Sequence, residues 1–112
     1  MDKLDNNAHS IFLLHYHLIM VVKYRRKVID DKISQRACNI FENIAPSYGI
    51  TVEEWNHDID YVHVMFRAQP KSELSKLINA YKSASSRLLK KEYPSIKENY
   101  GRKPFGVRVF VC

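Results

Sequence analysis

Only two cysteines occur in the 112 residues, Cys38 and Cys112, with no CxxC spacing and no local histidine partner. That argues against a disulfide framework or a thiolate metal site, and predicts reduced thiols in a cytoplasmic protein, Cys38 in a core and Cys112 at the C-terminus. Long hydrophobic runs are also missing. The longest, "IFLLHYHLIMVV", is broken by His15 and His17 and falls short of the roughly 20 residues of a membrane span. It follows an acidic, Asn-rich start without a basic leader or small-residue cleavage site, so it does not read as a signal peptide. Linkers, repeats and low-complexity segments are absent, and residues 1–112 read as a single domain with no membrane partner.

Negative charge is the remaining deficit. Eighteen Lys and Arg face 12 Asp and Glu, for a formal net charge of +6 and a sequence pI near 9.4. The excess is clustered: "KYRRK" at 23–27 carries four cations, "RLLKK" at 87–91 three, and the C-terminal stretch adds Arg102, Lys103 and Arg108. Each cluster alone is compatible with solvated surface, whereas three in one small domain point to a polyanion such as nucleic acid.

Residues 10–24 read as a first strand whose even positions, Phe12, Leu14, Tyr16, Leu18, Met20 and Val22, form an apolar face. Ile33, Ala37, Ile40, Phe41, Ile44 and Tyr48 then recur at helical spacing, with Asp30 or Asp31 as cap and an end near Pro46 and Gly49. Residues 50–57 and 61–69, separated by "DID", predict an antiparallel hairpin with Asp58 and Asp60 as turn residues and Trp55 as a sheet anchor. A second helix is expected from a Ser72 cap to about Tyr93, stopped by Pro94. A last strand alternates Val107, Val109 and Val111 with Arg108 and Phe110.

The order β-α-β-β-α-β is that of an α+β ferredoxin-like sandwich, a four-stranded antiparallel sheet with two helices on one face. Period-two alternation leaves His15, His17, Tyr61, His63, Met65 and Phe110 on the open face, a binding surface rather than decoration. On the second helix, Leu74, Leu77, Ile78, Tyr81, Leu88 and Leu89 form one stripe, opposite Lys76, Ser83, Ser86, Arg87 and Lys90. Such a helix either docks on the sheet and presents donors to phosphates or simply faces solvent.

"YHLIMVVKYRRKVI" (16–29), "DYVHVMF" (60–66) and "INAYKSASSRLLKKEYP" (78–94) resemble, in order and spacing, three signature blocks of the one-tyrosine HUH class of insertion-sequence transposases. The resemblance runs from about residue 9 to the C-terminus. It implies the ferredoxin-like core, a homodimer, recognition of single-stranded DNA hairpins, and strand cleavage by a tyrosine that becomes linked to a 5′ phosphate. It also implies a divalent metal, Mg or Mn, held by two histidines and a further polar side chain, polarising the scissile phosphate.

Two departures from that pattern lead to the expectation of a protein that binds without cutting. Where the family has Asp-His-hydrophobic-His, this chain has Asp60-Tyr61-Val62-His63, leaving His63 as a degenerate metal position. One imidazole does not replace two, and a neutral phenol is a poor ligand for a hard ion. The sequence also ends at Cys112, ahead of the family's tyrosine-bearing helix, so no catalytic residue is assigned and the metal is not expected to bind. Tyr61 reads as a residue stacking on the sheet face rather than a displaced nucleophile. The sharper alternative is a three-histidine site from His15, His17 and His63; the simpler reading makes His17 a hydrogen-bonding structural residue and His15 exposed. DNA contacts are expected from Lys23, Arg25, Arg26 and Lys27 in the basic turn, and from Lys82, Ser83, Ser86 and Arg87 on the second helix. The competing reading is a non-enzymatic single-stranded RNA-binding domain of RRM-like architecture, which shares the element order. Against it, the penultimate strand "YVHVMF" lacks the RRM signature.

Overall fold

The period of two in the first apolar run decides which residues enter the core. In the computed structural model, which describes residues 14–69 and 72–111, strand β1 spans Leu14–Val22. Leu18, Met20 and Val22 are fully buried, while Leu14 is exposed, so the apolar face begins at Tyr16. Phe12 and the expected strand start at residue 10 lie outside the described residues.

Helix α1, Asp31–Ile44, starts where Asp30 accepts a hydrogen bond from the Ile33 amide. That side chain satisfies one of the amides a helix start leaves without a partner. Ile33, Ala37, Ile40 and Phe41 are buried on its sheet-facing side. A single 3-10 turn, Ala45–Tyr48, ends at Gly49, whose φ of 74° lies in the left-handed region that glycine adopts without strain.

Strands β2 (Ile50–His57) and β3 (Tyr61–Ala68) form the hairpin around Asp58–Asp60. An irregularity between Val52 and Glu54 places an extra residue, Glu53, in β2. Helix α2 runs Leu74–Glu92, burying Leu77, Tyr81, Ser85 and Leu89. Ser72 does not cap it: its hydroxyl donates to the Gly49 carbonyl and accepts from the Gln69 amide, fastening the incoming loop instead. Pro94 does more than stop α2. It opens a third helix, α3 (Pro94–Tyr100), because proline suits a first helical turn whose amides have no partner. The element order is therefore β-α-β-β-α-α-β, closed by β4 (Val107–Val111).

The sheet order is β2-β3-β1-β4, with all neighbours antiparallel, the ferredoxin-like arrangement. Phe41, 0% exposed, sits at the centre of the core. It meets Tyr81 edge-on at 5.0 Å and Trp55 at 5.8 Å. Trp55 anchors the sheet to α1 by donating to the Ser34 hydroxyl at 3.0 Å. Tyr81, whose hydroxyl donates to the Ala37 carbonyl, ties α2 to α1, and burial pushes its phenol pKa upward. Among the described residues no helix is long and apolar enough to cross a membrane.

Candidate functional site

The open face carries the residues that period-two alternation assigns to it. Register places His17 opposite Met65, Ile19 opposite His63 and Val21 opposite Tyr61, and on the other side Ile19 opposite Phe110 and Val21 opposite Arg108. Tyr61 and Phe110 are exposed there. Two shallow grooves share Val21 and Arg25 as lining residues, one reaching Arg108 and Phe110, the other Asn56, Tyr61 and His63.

The three histidines divide. His17 Nδ1 lies 3.0 Å from His63 Nε2, with the rings stacked at 5.2 Å between centroids. His15 instead pairs with Glu53 at 3.0 Å, the residue displaced by the irregularity in β2. The donors around Tyr61 and His63 do not fit the magnesium or manganese ion the family resemblance implies. Tyr61 offers a neutral phenol, and Asp60 is held by Arg25, whose Nε and Nη2 both donate to Oδ2 at 3.0 and 2.8 Å. Among the described residues, no three His, Cys, Asp or Glu side chains are grouped to hold a metal ion.

The basic turn is built under strain. After β1, Lys23–Arg25 forms a 3-10 turn in which Tyr24 and Arg25 take φ values of 63° and 51°, a region costing non-glycine residues about 1–3 kcal/mol each. Its surroundings hold that geometry. The Lys23 amide donates to the Gly106 carbonyl, and the Tyr100 hydroxyl donates to the Lys23 carbonyl. The Tyr24 ring lies 6.2 Å from that of Tyr100, and the Lys103 ammonium stands over it, 5.2 Å from its centroid. Burial pushes the Tyr100 phenol up to about 12, against the opposing pull of Arg26 nearby.

These contacts gather basic residues from all three sequence clusters. Lys90 Nζ donates to the Lys103 carbonyl, and Arg108 shares a groove with Lys23, Tyr24 and Arg25. Lys23, Arg25, Arg26, Lys90, Lys103 and Arg108 thus surround one end of the sheet, and Lys27 lies exposed beside them in the chain. Lys90, Lys103 and Arg108 were visible as basic clusters, but nothing local in the sequence shows that they meet the turn.

The helical half of the expected DNA-contacting set is not part of that end. Lys82 lies eight residues before Lys90, about 12 Å along the helix. Lys82 and Ser83 are exposed, and the Ser86 hydroxyl donates to the Ser83 carbonyl. Arg87 lines a separate groove between α1 and α2 with Arg36, Asn39 and Asn43.

Known proteins share both sequence and fold with this chain. The family model "Transposase IS200 like" matches residues 10–112. The ISDra2 transposase TnpA of Deinococcus radiodurans is 33% identical over 88 residues, covering 79% of this chain and 63% of that protein. The transposase for insertion sequence element IS200 of Salmonella typhimurium is 23% identical over 101 residues, covering 90% and 66%. The chain therefore spans just under two thirds of the length of these relatives. A crystal structure of a protein assigned as a transposase from D. radiodurans R1 superposes with a TM-score of 0.75 at 27% identity, covering 91% of this chain and 81% of that one. A REP-associated tyrosine transposase bound to a REP hairpin shares the fold, with a TM-score of 0.51 at 10% identity over all of this chain and 61% of the other. With its sheet order, its three ordered sequence blocks and a family match over almost its whole length, the chain belongs to the IS200-like transposase family.

Proposed function

We propose that this chain binds single-stranded DNA folded into hairpins and holds them by the basic end of the sheet. The observation that carries the reading is the convergence of the three basic clusters on the strained Lys23–Arg25 turn. Cations spaced around one rigid turn neutralise successive phosphates, while the turn fixes their spacing. Family membership supports a DNA partner, and a protein of the same fold has been seen bound to a REP hairpin.

In this reading the protein binds without cutting. Tyr61 stands where the family motif has its first histidine, and Asp60 is committed to Arg25. The resident hard metal is left out for the same reason. The protein works in the cytoplasm as a homodimer, for which β4 offers a sheet edge that no described strand covers.

Titration of a labelled hairpin oligonucleotide by fluorescence anisotropy tests the proposal, with a scrambled strand of equal length as competitor. Tighter binding to the hairpin, weakening steeply with salt, is expected; equal affinity for both strands overturns it. Incubation with hairpin DNA and magnesium or manganese should give no covalent adduct, and light scattering should give the mass of a dimer. A competing RNA hairpin of the same sequence should displace the DNA poorly.

A further inference from the structure

We infer that Arg25, oriented by Asp60, reads an unpaired guanine that lies in the groove beside Phe110. Asp60 Oδ2 takes the Nε and Nη2 donors of Arg25 at 3.0 and 2.8 Å. The outer edge of the guanidinium, with parallel N–H groups on Nη1 and Nη2, is left without an acceptor among the described residues. The Asp60 side chain is sheltered, at 16% exposure, whereas that of Arg25 is 69% exposed. One edge of the fork is thus fixed by the protein and the other is open to a ligand.

Backbone contacts hold both partners. The Asp60 carbonyl accepts from the Val22 amide and the Ile59 carbonyl from the Ile29 amide, so the turn between β2 and β3 is fastened to both flanks of the basic turn. Arg25 reaches Asp60 from a backbone φ of 51°. Strain at a residue whose side chain is clasped across two turns argues for position rather than for charge alone. Asp60 also offsets the Arg25 charge, which makes Arg25 a weaker phosphate contact than an unpaired cation and suits it to a neutral base edge.

Base chemistry selects guanine. Its N7 and O6 set two acceptors side by side, the match for a two-pronged donor, whereas adenine sets a donor beside N7 and thymine offers O4 alone. Cytosine also has adjacent acceptors, but on a single ring with less surface to stack. The stacking partner is Phe110, 53% exposed on β4, in the groove it shares with Val21, Tyr24, Arg25 and Arg108. An exposed aromatic beside a cation favours an unpaired base, whose faces are free, over one stacked in a duplex. Arg108, opposite Val21 in the same groove, serves the neighbouring phosphate. The inference rests on hairpin binding and adds to it a single-stranded tail whose sequence is read.

Fluorescence anisotropy tests the site with a hairpin carrying an oligothymidine tail at either end, in which guanine, adenine or cytosine replaces each thymine in turn. Guanine at one tail position should tighten binding about fivefold or more over thymine. There, 7-deazaguanine, which lacks N7, should lose most of that gain. The ratio of guanine to thymine affinity should fall to about one in Arg25→Lys, which keeps the charge without the fork, and in Asp60→Asn. Asp60→Asn should also bind every strand more tightly at low salt, because the Arg25 charge is released. Phe110→Ala should weaken binding of the tailed hairpin about fivefold or more. Circular dichroism melts establish that each variant is folded. Equal affinity for every base at every position, preference for another base, a guanine ratio that survives in folded Arg25→Lys or Asp60→Asn, or unweakened binding by Phe110→Ala would overturn the proposal. The same scan in a plain oligothymidine strand gives the ratio without a hairpin, so loss of preference for the hairpin over a scrambled strand sinks the hairpin reading alone.

Discussion

The Tyr100 hydroxyl donates to the Lys23 carbonyl across 2.6 Å, so the last residue of α3 holds the peptide at which the chain leaves β1. Tyr100 is only 2% exposed. Tyr100→Phe would keep the packing and leave that carbonyl without its donor, at a cost of about 1–2 kcal/mol. Denaturant unfolding should show this loss, and hairpin affinity should fall because the turn is less firmly held. Unchanged stability and affinity would remove Tyr100 from the account of the turn.

Phosphate contacts can be counted from salt dependence. Lys23→Ala and Lys103→Ala should each reduce the slope of log affinity against log salt by roughly 0.7–0.9, one contact apiece. Lys76, paired with Glu73 in the first turn of α2, is some 20 Å along the helix from Lys90. Lys76→Ala should leave the slope unchanged.

Phe41 joins α1 and α2 to the sheet through Tyr81, Trp55 and Phe66. Truncation to alanine should cost about 3–5 kcal/mol, and the more space-filling Phe41→Leu distinctly less. Thermal and denaturant melts of the two variants give the comparison directly.

Cys38 is buried, and its thiol donates to Glu42. Burial and then the Glu42 charge push its pKa up to about 11 from an ordinary 9.0. At pH 8 the thiolate fraction is therefore lower by about a hundredfold than for an ordinary thiol. Iodoacetamide labelling mapped to the Cys38 peptide should be correspondingly slow in the native protein and fast in denaturant.

Arg36 binds Glu92 through two hydrogen bonds, joining α1 to the end of α2. That contact holds the Glu92 carboxyl below its ordinary 4.5. A carboxyl lowered by folding stabilises above its unfolded pKa and loses that contribution as pH falls through its folded value. Wild type should lose stability more steeply than Glu92→Gln below about pH 4.5, and the two should converge at the acid extreme.

Elements carried by local patterns were legible in the sequence. Alternation in β1, Asp30 ahead of Ile33, and the "DID" turn each express a neighbour-to-neighbour constraint, and each appears in the fold. Ser72 misled because a hydroxyl two residues before a helix has two competing uses, and here Gly49 and Gln69 take it. α3 was missed because Pro94 ends one helix and begins another with the same fixed φ. The candidate site was half legible: the basic clusters were visible, but the joining of Lys90 to Lys103 and of Lys103 to Tyr24 depends on tertiary packing. Likewise, the odd positions of β1 put His15 and His17 on one face, yet the extra residue in β2 turns His15 to Glu53 and leaves His17 to His63.

The sheet order has a consequence for synthesis. β1 is the first described strand and the second of its two partners, β4, is the last. As the chain leaves the ribosome, β1 can pair with β3 once residue 68 is out, but its other edge stays bare until residues 107–111 follow. Some forty residues of translation thus separate a half-covered strand from a closed sheet, an interval in which an exposed edge can pair with another nascent chain. Slowed elongation across α2 and α3 would lengthen that interval and lower the yield of folded protein.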